Sequence, residues 1–230
     1  MKSGKVSEFA TERVSLYYRC LEALEERGIE TTSSMLLAEQ FGLNSAQIRK
    51  DLAYFGQFGV RGVGYIVKDL KSRLATILGR DAGHRVCVVG GGNLGMALTE
   101  YGGFARNGFA LVAIFDCDAR KIGQRSRSGV PVHDVRRLAE VVRDERITMA
   151  IIAVPAGAAQ SVCDRLIEAG VRAILNFAPR RLSGRAGTKI KSIDLSISLE
   201  SLAYFLSSHP DGPEAEDGKL DDIATSPTLE

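Results

Sequence analysis

Arg85-Val86-Cys87-Val88-Val89-Gly90-Gly91-Gly92-Asn93-Leu94-Gly95 is the stretch that decides the fold. A short apolar, β-branched run leads straight into glycines spaced G-x-G-x-x-G, and Met96, Ala97, Leu98 and Tyr101 continue as a helix. A second apolar run, Ala110 to Phe115, ends at Asp116, 21 residues past Gly95. A lone glycine motif says little. Set between strand and helix, with an acid at that distance, it is the full dinucleotide-binding fingerprint of a Rossmann-like domain.

Each residue has a physical reason. Gly90 permits the sharp turn, Gly92 lets a pyrophosphate approach the backbone, and Gly95 lets helix and strand pack closely. Gly91, Asn93 and Leu94 complete a loop whose amides face an anion at a helix N-terminus. Asp116 is placed to accept hydrogen bonds from a ribose diol, and its charge would repel a 2′-phosphate. That favours NAD(H) over NADP(H), although Arg120 and Lys121 stand close by. Two other readings stay open here: a Rossmann-like domain without a ligand, and one that takes a related nucleotide such as coenzyme A.

The alternation continues. Met149 to Val154 reads as a strand ending at Pro155, Ala158 to Ala169 as a helix, and Ala173 to Asn176 as a further strand. Ligands of open parallel sheets sit beyond the carboxyl ends of the strands. Val154, Pro155 and Phe177 are therefore candidates for the nicotinamide end.

Upstream, residues 1–80 read as helical with one glycine-rich interruption. Val14, Tyr17, Tyr18, Leu21 and Leu24 form one apolar stripe on a helix from about Ser7 to Arg27, stopped by Gly28. Thr31-Thr32-Ser33-Ser34 supplies caps for a second helix, and Gly42 a tight turn. Asn44 and Gln47 resemble a capping box that opens a third helix, Ser45 to Phe55. This is helix-turn-helix spacing. Ile48, Leu52 and Phe55 back the third helix, while Arg49, Lys50 and Ala53 point elsewhere, as a helix in a DNA major groove requires. Gly56 to Tyr65 then alternates glycines with apolar residues around Arg61, the pattern of a β-hairpin wing. Its arginine suits a minor groove.

Charge agrees with this reading. Of 30 basic and 28 acidic side chains, seven acids and one base lie in residues 209–230, a net −6 that leaves +8 on residues 1–208. A basic body permits a nucleic-acid partner. The Pro-, Gly- and acid-rich end reads as a disordered tail.

Several classes are excluded. The four cysteines form no C-x-x-C pair and the three histidines are far apart, so no metal centre is expected. No apolar window is long enough to span a membrane. No apolar core follows the lysines of the first eight residues, so a cytoplasmic location is expected. No histidine–acid dyad or Tyr-x-x-x-Lys pair follows the nucleotide half, and little chain remains for a substrate domain. A small NAD-dependent oxidoreductase with an accessory helical domain, or a coenzyme A module, nevertheless stands as an alternative on residues alone.

Taken together, these motifs resemble the Rex family of bacterial redox-sensing repressors. The resemblance rests on Tyr17-Tyr18-Arg19, Thr32-Ser33-Ser34, Gln47 to Leu52, Tyr54-Phe55-Gly56, Arg61 to Tyr65, Gly90 to Gly95, Tyr101-Gly102-Gly103-Phe104, Phe115 to Asp118, Lys121-Ile122-Gly123 and Ile174 to Pro179, and covers about residues 5–208. It implies a non-enzymatic transcriptional repressor that senses NADH and NAD⁺ and binds inverted-repeat operator DNA as a homodimer. It implies an α/β chain: a winged helix-turn-helix domain at 1–80, a doubly wound Rossmann-like NAD(H) domain at 81–195, a dimerisation helix at 196–208 and the tail at 209–230. DNA contacts are expected from Ser45, Gln47, Arg49, Lys50, Tyr54, Arg61, Gly62 and Tyr65. Tyr101 is expected beside the nicotinamide. Asp194 is expected to exchange between Arg19 and Tyr101 as a switch. The last helix, read as Ser198 to Ser207, carries an apolar stripe of Leu199, Leu202, Ala203, Phe205 and Leu206 suited to a partner subunit or to packing within the chain.

Overall fold

A computed structural model describes residues 8–60 and 62–208. The expectations for Arg61 and for the acidic segment 209–230 lie outside the described residues.

The first half is a winged helix-turn-helix. Helix α1 (Glu8–Glu26) buries Val14, Tyr17, Tyr18, Leu21 and Leu24, all below 8% exposed. Each such side chain contributes on the order of 1.5–3 kcal/mol relative to exposure. Gly28 ends the run at φ +72. Strand β1 (Thr31–Thr32) precedes α2 (Ser34–Phe41), whose N-cap Ser33 accepts from the Leu36 amide at 3.1 Å. Gly42 closes α2 in the left-handed region, at φ 65. Helix α3 spans Ser45–Phe55, the expected range, with Ile48 and Leu52 buried and Phe55 half-buried.

The wing departs from a simple hairpin. Among the described residues its own arms pair at the Val60–Gly64 bridge alone. The outgoing strand β2 (Tyr65–Ile66) pairs instead with β1, Thr31 opposite Ile66 and Thr32 opposite Tyr65. A Cβ on Gly64 would lie 2.3 Å from the Thr32 carbonyl oxygen, so only glycine admits this approach. Helix α4 (Val67–Ile77) returns to pack Val67, Leu70 and Leu74 in the same core as the α1 stripe.

The second half is a six-stranded, fully parallel sheet. Its members are β3 (His84–Val89), α5 (Asn93–Glu100), the short α6 (Gly103–Arg106), β4 (Phe109–Asp116), β5 (Val132–Asp134), α7 (Leu138–Asp144), β6 (Met149–Ile152), α8 (Ala156–Glu168), β7 (Ala173–Asn176) and β8 (Lys189–Ser192). The order β5-β4-β3-β6-β7-β8 is that of a doubly wound dinucleotide fold. The order of winding reverses between the parallel neighbours β3 and β6, so the ligand crevice lies at Gly90 and Ala153. Strand β8 had no counterpart in the pattern reading, because its lysines and lone Ile190 give too short an apolar signal.

Helix α9 (Leu195–Ser208) starts three residues earlier than expected and buries nothing. Leu195, Ile197, Leu199, Leu202, Tyr204, Phe205 and Leu206 are each at least half exposed. None of these side chains is buried within the described chain.

Candidate functional site

The phosphate loop is held by contacts that side chains would destroy. Gly90 sits at φ +106, and a Cβ there would fall 2.4 Å from the Ala153 carbonyl oxygen. On Gly95 a Cβ would fall 1.8 Å from the Gly90 carbonyl oxygen. Helix and strand thus approach as closely as backbones can. A Cβ on Gly92, by contrast, meets nothing within 4 Å, which leaves the space a pyrophosphate needs. Gly92, Asn93 and Leu94 are exposed at the start of α5, where the first amides have no intrahelical partner.

Asp116 ends β4 and closes this loop. One carboxylate oxygen accepts from the Gly91 amide at 2.8 Å and from Lys121 Nζ at 3.2 Å, the other from the Asp118 amide at 2.8 Å. Burial opposes its charge, but the Asp118 amide, the Lys121 ammonium and the Gly91 amide outweigh it and hold the carboxyl below its usual range. Asp116 is therefore ionised and aimed by its neighbours. Lys121 faces it directly, whereas Arg120 turns to Asp118 at 2.8 Å. A hollow of about 170 Å³ adjoins it, lined by Gly91, Met96, Lys121, Gln124, Arg125 and Val132.

At the other end of the crevice, Val154 and Phe177 are half-buried and Pro155 caps α8. Phe177 shares an apolar cluster with Val86, Val88, Ile151, Leu98 and Phe104. Tyr101 is 59% exposed and stands edge-on to Phe104, ring centroids 5.1 Å apart. A Cβ on Gly103 would meet the Tyr101 ring at 2.4 Å, so glycine is needed for that pose. Asn176, fully buried, is committed elsewhere. Its amide donates to the carbonyls of Ala178 and Arg180 and to Ser192 Oγ, and its oxygen accepts from the Ala178 amide. It fixes the turn that presents Phe177.

Helix α3 forms the second candidate site. Asn44 Oδ1 caps it through the Gln47 amide at 3.0 Å. The reciprocal half of the expected capping box is absent, because Gln47 Nε2 donates to Asp51 at 2.8 Å. Arg49 Nη1 donates to Ser34 Oγ at 2.9 Å, tying α3 to α2, and Lys50, Ala53 and Tyr54 are exposed. Ser45 opens the helix half-buried, Gly62 is exposed at φ +85, and Tyr65 is half-buried in the wing. A cleft of about 430 Å³ separates α3 from the wing, with Ser34, Arg49, Ala53, Phe58 and Tyr65 among its walls.

Asp51 escaped the pattern reading. It is 5% exposed and accepts four hydrogen bonds, from Arg13 Nε (2.6 Å), Arg13 Nη2 (2.8 Å), Tyr17 Oη (2.9 Å) and Gln47. Burial raises its carboxyl, but these partners outweigh that and leave it below the usual range. Its spacing, three after Ile48 and four before Phe55, already set it on the apolar face.

The three switch candidates are not brought together within one chain. Arg19 is exposed on α1, Tyr101 lies on Phe104, and Asp194 Oδ1 accepts from the Ser196 amide at 3.0 Å, which caps α9. Of the four free cysteines, Cys20, Cys87 and Cys163 are buried and Cys117 is exposed. Burial pushes the Cys20 thiol up to about 11 and that of Cys87 up to about 12. Among the described residues there is no cluster of metal ligands and no helix long and apolar enough to cross a membrane.

Comparison with known proteins now decides the family. A profile described as "CoA binding domain" matches residues 81–180, and one described as "Putative DNA-binding protein N-terminus" matches 5–53. The Redox-sensing transcriptional repressor Rex of Desulfitobacterium hafniense is 48% identical over 204 residues, covering 89% of this chain and 97% of that protein. The chain belongs to the Rex family. The Rex of Streptomyces coelicolor is 43% identical over 97% of this chain and 86% of its own length. Among solved structures, the Rex-family repressor RSP in complex with β-NAD⁺ and operator DNA superposes with a TM-score of 0.86 at 36% identity, covering 90% of this chain and 95% of that one. RSP in complex with β-NADH superposes at 0.80 with 35% identity, covering 90% and 97%. These Rex relatives are named as repressors, not as enzymes, so the oxidoreductase alternative falls away.

Proposed function

We propose that this chain is a transcriptional repressor that binds inverted-repeat operator DNA as a cytoplasmic homodimer and lets go when NADH binds. The observation that carries the proposal is one relative, RSP, solved both with β-NAD⁺ and operator DNA and with β-NADH, whose fold this chain shares along nine-tenths of its length.

The loop Gly90, Gly91, Gly92, Asn93, Leu94 and Gly95 holds the pyrophosphate, and Asp116 accepts from the adenosine ribose. Coenzyme A, named by the domain profile, carries a phosphate on that ribose. An ionised Asp116 held by Gly91 opposes it, and opposes the 2′-phosphate of NADPH equally. Tyr101, Val154, Pro155 and Phe177 bound the nicotinamide end. An apolar wall there accepts a neutral dihydronicotinamide more readily than the cationic ring of NAD⁺. Selectivity of that kind shifts a two-state equilibrium only by the difference in affinity.

Lys50 and Arg49 face the major groove, supported by Ser45, Gln47 and Tyr54. Arg61, Gly62 and Tyr65 serve the wing. Helix α9 packs against the second subunit, which covers its exposed apolar side chains. Asp194 moves between Arg19 and Tyr101 as the ligand changes. Titrating the protein with NADH, following its fluorescence, and competing with NAD⁺, NADPH and coenzyme A tests the sensor half. Saturable NADH binding that NAD⁺ displaces and coenzyme A does not is the expected result. Displacement by coenzyme A alone would refute it.

A further inference from the structure

We propose that the ion pair between Glu12 and Lys191 is an interdomain positioning contact that holds the recognition helix α3 in its operator-binding orientation. This rests on the repressor reading above.

Asp51 links α3 to α1. Two of its partner residues, Arg13 and Tyr17, lie on α1, and together they supply three of its four hydrogen bonds. A nearly dry carboxylate held by three donors from one helix cannot shift without losing charge-assisted bonds, so α3 moves with α1 as one body. What orients α1 therefore orients α3.

Glu12, the residue before Arg13, pairs with Lys191 on β8, 179 positions away and in the sensor domain. Strand β8 runs through Ile193 and Asp194 directly into α9. Glu12 and Arg19 are seven residues apart and so share one face of α1, about two turns from each other. Lys191 and Asp194 stand three apart on the facing segment. Each of the two segments thus carries one acid and one base. The Glu12–Lys191 pair is made, while Asp194 caps α9 and Arg19 is exposed. The whole chain also lies nearer to RSP with NAD⁺ and operator than to RSP with NADH.

Its effect is bounded. Both side chains are more than two-fifths exposed, and exposed pairs are worth up to about 1 kcal/mol, roughly a fivefold change in an equilibrium.

The test uses full-length protein with Glu12→Gln, Lys191→Gln and the double variant. The probe is a duplex that the wild-type chain enriches from a random pool, at fixed salt. Simple electrostatics predicts that removing an acid strengthens binding to DNA. The proposal predicts the opposite sign: Glu12→Gln weakens operator binding threefold to fivefold and lowers the NADH concentration for half-release by a similar factor. The double variant should be no weaker than either single one, as coupled residues require. Tighter DNA binding by Glu12→Gln, additive effects in the double variant, or lost thermal stability with an unmoved NADH midpoint would each overturn it. If wild-type protein itself binds no duplex, or NADH does not release it, the repressor reading fails with it. A responsive wild type with an unchanged Glu12→Gln sinks this proposal alone.

Discussion

Asp116 accepts a hydrogen bond from the Gly91 amide at 2.8 Å, so the acid that ends β4 and the loop that follows β3 form one unit. On the proposed reading, recognition of ribose and of phosphate is thereby coupled in a single piece of backbone.

Removing that link should impair sensing and spare DNA binding. Asp116→Ala is expected to raise the NADH needed for operator release at least tenfold, with operator affinity unchanged when no nucleotide is present. Lys50→Ala should do the reverse. An exposed cation facing DNA is worth about 1–3 kcal/mol when it reads a base and less when it meets a phosphate. Anisotropy with labelled operator and NADH fluorescence measure the two affinities separately.

Gly95→Ala carries a larger effect for a different reason. The added methyl would fall 1.8 Å from the Gly90 carbonyl oxygen, on backbone that cannot step aside. Overpacking of this kind costs about 1–3 kcal/mol or more. A lower unfolding midpoint together with NADH affinity reduced beyond tenfold is expected. Gly92→Ala, which meets nothing within 4 Å of its new carbon, should leave stability intact while still weakening NADH binding.

The Asp51 cluster predicts a dependence on pH. Its carboxyl is held below the usual range in the fold, so its contribution is complete above about pH 4. That contribution is lost as the pH falls through the lowered value. Asp51→Asn should cost about 2–3 kcal/mol at neutral pH, less than a fully buried pair because Arg13 is 36% exposed. Chemical denaturation at several pH values should show the wild-type advantage shrinking below about pH 4.

Much of the account could be read from residues alone, and what could not has identifiable causes. Helix α3 was readable to its ends because Asn44 and Gly56 bracket an apolar period of 3.6. The dinucleotide loop was readable because it depends on glycine at fixed local spacing. Asp51 drew no reading because a carboxylate among Ile48, Leu52 and Phe55 is buried only when Arg13 and Tyr17 arrive from another helix. The pairing of Thr31–Thr32 with Tyr65–Ile66 was hidden for a similar reason, since two residues carry no periodicity. Glu12 and Lys191 lie at opposite ends of the chain, and only the fold joins them.

Helix α9 predicts the assembly. Leu199, Leu202 and Leu206 are 66%, 61% and 67% exposed, an apolar face that a monomer leaves largely in water. Leu202→Glu should convert the dimer to monomers in sedimentation velocity and weaken operator binding by more than tenfold, because two half-sites are no longer held together. Unchanged sedimentation would assign that face to another role.

The central claim is that nucleotide redox state controls DNA binding. Fluorescence anisotropy of a labelled inverted-repeat operator, at fixed salt, with NADH or NAD⁺ titrated in, measures it directly. The account predicts release at low NADH and little release at equal NAD⁺. A hundredfold loss of operator affinity would correspond to coupling of about 2.7 kcal/mol, with operator weakening NADH binding by the same factor. Equal release by both nucleotides, or tight NADH binding with no effect on the DNA complex, would contradict it.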